Sequence, residues 1–162
     1  MEATQRRVPI IAVFGSTVEE TLELAKLIGV EIARQNGILL TGGEGIPEDA
    51  VKEWAITGAE SVRSASCLGA WIGVPRDKSK RIFVPNPNDL SGKIYTGLNH
   101  KRNYIEAWLC DAAIALEGGE GTRSEITFCL SLQKPVVRIG NWKTKYPLDQ
   151  PETLSLLLKL SC

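Results

Sequence analysis

The stretch Ala112-Ala113-Ile114-Ala115-Leu116-Glu117-Gly118-Gly119-Glu120-Gly121-Thr122-Arg123-Ser124-Glu125 decides how this chain reads. Five apolar residues of strand length run into a glycine-rich turn, and a segment of helical spacing follows over 126–133. Glycines between a buried strand and a helix let the backbone turn tightly and let a ligand approach the main chain. The helix start then presents unpaired N–H groups and a partial positive charge, which suit a phosphate. Gly118, Gly119, Glu120, Gly121 and Thr122 are therefore the expected anion-binding turn, and Glu125 is a carboxylate placed to act on whatever that turn holds. Thr122-Arg123-Ser124-Glu125 also has the form of a capping box, in which Glu125 would only satisfy backbone N–H groups.

The same unit recurs towards the N-terminus. Residues 8–14 form an apolar run ended by Gly15-Ser16, and Thr17-Val18-Glu19-Glu20 has the pattern of a capping box. Leu24, Leu27, Ile28 and Ile32 follow at helical spacing until Asn36-Gly37 stops the helix. A second strand over 38–41 leads into Gly42-Gly43-Glu44-Gly45 and a helix over about 47–58. A third strand is expected over 68–74, and Ile82-Phe83-Val84 is a candidate fourth inside an otherwise irregular region, 76–97. Residues 104–110 read as an amphipathic helix, 136–139 as a last strand and 151–160 as a terminal helix.

Strands alternating with helices imply a single α/β domain over residues 1–162, a Rossmann-like, doubly wound parallel sheet with helices on both faces. The continuous apolar character of the strands fits burial on both sides. Ligands bind such sheets outside the carboxyl ends of the strands. The turns at Gly15-Ser16, at Gly42-Gly43 and at 118–121 should therefore line one crevice. No Gly-x-Gly-x-x-Gly follows the first strand and no Gly-Lys-Ser/Thr P-loop occurs, so NAD and ATP chemistry are disfavoured.

Composition narrows the function classes. Nineteen acidic residues balance nineteen basic ones, which argues against a nucleic-acid partner needing a broad basic face. No apolar run reaches membrane-spanning length, and the N-terminus lacks a signal-like segment, so a cytoplasmic protein without a membrane partner is expected. Cys67, Cys110, Cys129 and Cys162 form no CxxC pair and His100 is the sole histidine, so no metal site is expected. Cys110 and Cys129 read as inert core thiols, and Trp71 as a core aromatic.

Taken together, Leu40-Thr41-Gly42-Gly43, Asn99-His100-Lys101-Arg102-Asn103, residues 111–116 and the turn 118–125 resemble the LONELY GUY (LOG) superfamily, once mislabelled as lysine decarboxylases. The likeness covers roughly residues 10–140. It implies a Rossmann-like fold, assembly as a homodimer or homotetramer, and a phosphate-bearing small-molecule ligand. The enzymes of the group hydrolyse the N-glycosidic bond of nucleoside 5′-monophosphates. By that resemblance Arg102 and Glu125 would be the catalytic pair, with the turn 118–122 holding the phosphate. Gly15, Ser16, Gly42, Gly43, Thr96 and Asn99 are further candidate ligand contacts. The superfamily also contains molybdenum cofactor carriers, which bind a pterin phosphate without consuming it.

This chain departs from the hydrolase pattern. Glu117 stands where the motif has proline, Asn103 where it has lysine, and Asn99 near its usual methionine, while the segment 58–96 is expanded. These departures favour a molybdenum cofactor carrier or storage protein needing no cofactor of its own, with a phosphoribohydrolase as the alternative. A true lysine decarboxylase is not expected.

Overall fold

The computed structural model describes residues 7–16, 19–43, 51–76, 83–85 and 91–140. Its frame is a seven-stranded sheet of β1 (Ile10–Phe14), β2 (Ile38–Thr41), β3 (Trp71–Gly73), β4 (Phe83–Pro85), β5 (Gly92–Ile94), β6 (Ala112–Leu116) and β7 (Val136–Ile139). The spatial order is β4-β5-β3-β2-β1-β6-β7. Six strands run parallel, as expected for a doubly wound sheet, while β4 lies antiparallel on the edge, with Val84 opposite Lys93. An antiparallel pair such as β4 with β5 needs no crossover, whereas every parallel pair does.

The helices divide between the two faces. α1 (Glu19–Arg34) and α2 (Val51–Ser61) pack together with Ile11, Val13, Leu39, Ile114 and Leu116 on one side. α3 (Arg102–Leu109) and α4 (Glu120–Ser131) cover the other, where Ala12, Phe14, Leu40, Ala113 and Ala115 meet Ala107, Cys110, Ile126 and Cys129. The alternation along β1 and β6 is the period-two consequence of the pleat, so each strand needs apolar residues on both sides. Trp71 is buried on β3, and its Nε1 donates to Glu60 Oε1 at 2.8 Å. Cys67, Cys110 and Cys129 are buried free thiols.

Helix ends follow local chemistry. Asn36 takes a φ of 57°, and the N–H groups of Asn36 and Gly37 donate back to the carbonyls of Ala33 and Ile32. That is the left-handed stop expected of Asn36-Gly37. α4 corrects one expectation: it starts at Glu120 with Gly119 as N-cap and no side-chain cap, so Thr122 and Glu125 do not form a capping box. The helix incorporates Gly121 despite its poor propensity. Thr122, Glu125, Ile126 and Cys129 thereby share the buried stripe at i, i+3, i+4 and i+7. The expected segments 44–50 and 151–160, the residues Thr17 and Val18, and Cys162 lie outside the described residues.

The chain runs from β1 through β2 to β3 in one direction and returns to place β6 on the other side of β1. The topological switch point therefore lies between β1 and β6, and in sheets of this kind the ligand crevice lies at that point, outside the carboxyl ends of the strands.

Candidate functional site

The turns after β1 and β6 are joined at the switch point. Ser16 N–H donates to the Glu117 carbonyl at 3.2 Å. Gly15 is buried against Val51 and Leu116, which brings the start of α2 over the crevice. A Cβ on Gly118 would collide with Thr122 and come within 3.1 Å of Ser16 N, so this turn closes only around glycine. Gly119 and Gly121 behave differently: a Cβ on either meets nothing within 4 Å, so both face open space. Thr122 is buried, whereas Glu120 is exposed and paired with Arg123 at 2.9 Å. Glu117 is exposed as well. Of the three carboxylates around the turn, only Glu125 is buried.

Beneath the turn lies a buried charged cluster built from three helices. Arg102 on α3 is 2% exposed. Its Nη1 donates to the Gly42 carbonyl at 2.8 Å, to the Val74 carbonyl, and to Glu106 Oε1 at 3.1 Å. The arginine thus ties the ends of β2 and β3 to its own helix. Glu106, one turn further along α3, is fully buried. Lys52, in the first turn of α2, approaches Glu125 Oε1 at 3.9 Å. Both cations crowd Gly42, where a Cβ would lie 2.5 Å from Lys52 Nζ and 2.5 Å from Arg102 Nη1.

Burial pushes the Glu106 carboxyl up to about 8, reinforced by the Glu125 charge and opposed by Arg102 and Lys52. Its Oε2 is buried without a donor, and a proton there turns two facing carboxylates into a donor and an acceptor. A proton kept on Glu106 removes one negative charge from beside Arg102 and Lys52, which favours an anionic ligand.

The remaining candidates lie on the turn after β2 and on the segment that leads into α3. Gly43 N–H donates to Thr41 Oγ1 at 3.1 Å, fixing the turn after β2. Thr96 Oγ1 accepts the Leu98 N–H, and Asn99, with φ 52°, opens the 3-10 turn that leads into Arg102. Asn103 is buried, with its Nδ2 3.4 Å from both the Gly121 carbonyl and Ser124 Oγ, so it joins α3 to the start of α4. His100 is exposed.

Two members of the cluster, Glu106 and Lys52, were not among the residues singled out from the sequence. Glu106 had a signal, since Arg102, Asn103, Glu106 and Ala107 fall on one helical face, where polar residues at core spacing mark a buried charge pair. Lys52 had none beyond following the second glycine turn.

The model of the SLOG cluster4 family matches residues 8–159. The chain belongs to the SLOG cluster4 family. Among proteins of known structure, it is 34% identical to the molybdenum cofactor binding protein of the phototrophic bacterium Rippkaea orientalis. That match covers 82% of this chain and 76% of that one, with a TM-score of 0.66. The molybdenum cofactor carrier protein of Chlamydomonas reinhardtii is 33% identical, covering 85% and 79%, with a TM-score of 0.65. An uncharacterized protein of Archaeoglobus fulgidus is 34% identical over 134 residues, 78% of this chain and 80% of its own length. Among the described residues of this SLOG chain, no group of three or more His, Cys, Asp or Glu is arranged to hold a metal ion, and no helix is long and apolar enough to cross a membrane.

Proposed function

We propose that this chain binds a phosphate-bearing heterocycle in the crevice between the β1 and β6 turns and carries or stores it, with molybdenum cofactor as the cargo. The observation that carries the reading is its identity of 34% and 33% to proteins described as binding or carrying that cofactor, sustained over most of each chain. The site chemistry supports it. Gly119 and Gly121 leave the main chain open at the start of α4, where backbone N–H groups suit a phosphate. The cluster brings Arg102 and Lys52 beside a Glu106 carboxyl that burial holds protonated. In a carrier these residues need only bind the phosphate and keep water from the heterocycle. Self-association as a homodimer or homotetramer belongs to the same reading, and light scattering on the eluting protein checks it.

One observation favours the phosphoribohydrolase. Glu106 and Glu125 form a carboxyl pair with one member held protonated, the arrangement by which general acids work near neutral pH. Against it, Arg102 is committed to holding β2 and β3.

The deciding experiment incubates the protein separately with AMP, an adenine cytokinin monophosphate and molybdenum cofactor. Chromatography follows free base, and desalting followed by oxidation and fluorescence reads retained cofactor. Retention without base release is expected. Base release that disappears in Glu125→Gln would replace the carrier with the hydrolase.

A further inference from the structure

We propose that Lys52, rather than Arg102, is the cation that contacts the anionic group of the ligand, and that Gly42 makes this possible by leaving the space through which Lys52 reaches the crevice. The inference rests on the anion-site reading above and names the residue that recognises the charge.

Three observations carry it. First, the two cations differ in what holds them. Arg102 Nη1 has three acceptors, two of them carbonyls at strand ends, and its side chain is 3% exposed. Moving it to a ligand would break ties between β2, β3 and α3. Lys52 is paired to Glu125 at 3.9 Å, beyond hydrogen-bond length, and its side chain retains 15% exposure. Secondly, its position is right. The neighbouring Val51 packs on Gly15 at the end of β1, and Glu125 lies one turn into the helix that starts at the glycine turn. Lys52 thus stands between the glycine turn after β2 and Glu125 on the helix that follows the glycine turn after β6. Thirdly, Gly42 has no side chain where Lys52 Nζ and Arg102 Nη1 both lie 2.5 Å from a Cβ position. A larger residue there would expel one cation. An ammonium on a flexible stem is also suited to a point contact with an oxyanion, since it needs no fixed fork geometry. A proton retained on Glu106 leaves Glu125 as the one carboxylate facing Lys52, so an incoming anion need displace only a long ion pair.

The test titrates inorganic phosphate into the wild type, Lys52→Met and Lys52→Arg by calorimetry, with molybdenum cofactor retention measured on the same three proteins. Wild type should bind phosphate with an affinity that falls as salt rises. Lys52→Met should weaken phosphate binding by about tenfold or more, the scale of one charge-assisted hydrogen bond, and flatten the salt dependence. Lys52→Arg should recover most of the affinity, which separates charge from packing. Equal phosphate affinity in wild type and Lys52→Met overturns the proposal, as does failure of Lys52→Arg to restore binding. The carrier reading fails separately: wild type that binds phosphate through Lys52 but retains no cofactor refutes the cargo and leaves the anion contact standing. No phosphate binding by wild type removes the anion contact altogether.

Discussion

Glu106 is the residue whose chemistry departs furthest from its type. A fully buried carboxyl beside another carboxyl keeps its proton, and that proton couples folding to pH. The folded group titrates at about 8 against 4.5 for the free side chain. Between those values the folded protein holds a proton that the unfolded chain has released. Stability from this group is therefore complete below pH 4.5 and is lost progressively as pH rises towards 8. Above that it is level. Glu106→Gln keeps the shape and removes the titration. Urea unfolding at pH 5 and pH 8.5 should show the variant gaining on wild type as pH rises, and a constant gap would mean that Glu106 is ionised throughout. The sequence shows why this residue is easily missed: Arg102 and Glu106 at i, i+4 look like an ordinary surface pair until the core side of α3 is known.

At the scale of elements, the pairing of α1 with α2 controls where Lys52 stands. The two helices meet through glycines. A Cβ on Gly29 would strike the Ala55 carbonyl, and one on Gly58 would strike the Lys26 carbonyl. Neither obstacle is a side chain that can swing away, so Gly29→Ala or Gly58→Ala must push the helices apart. The expected loss is about 1–3 kcal/mol for overpacking, exceeding the ~1 kcal/mol gained in helix propensity, with phosphate affinity falling as α2 shifts. Denaturant unfolding of each variant checks the first effect and calorimetry the second. Element boundaries were legible where apolar period and stop signals agreed, as in β6, β7 and the Asn36-Gly37 end of α1. They were not legible at β5, whose three residues begin with glycine and lack a strand pattern. Nor were they at the start of α4, where Glu120 and Gly121 look like loop and fold as helix.

For the whole molecule, the doubly wound sheet followed from repeated strand–glycine–helix units, because parallel strands demand crossovers and leave few arrangements. The placement of the three glycine turns was legible for the same reason: each follows a strand, and parallel strands end at one edge of the sheet. What the chain alone withheld was the charge balance there. Which carboxylates turn inward depends on helix rotation, so Glu117 and Glu120 outside and Glu106 and Glu125 inside emerge only with the fold.

The position of β1 also has a consequence for how the protein is made. Ile11 to Phe14 pair on one side with β6, Ile11 lying opposite Ala112, and Ile10 N–H donates to Asp111 Oδ2 across a separation of 101 residues. β1 thus gains its second neighbour only once the residues that separate it from β6, 101 between Ile10 and Asp111, have been synthesised. At about 5–20 residues per second, the apolar edge of β1 waits roughly 5–20 s for its partner. During that interval it is paired at most with β2, and translation stalled before Ala112 leaves on the nascent chain a strand edge open to any neighbouring polypeptide.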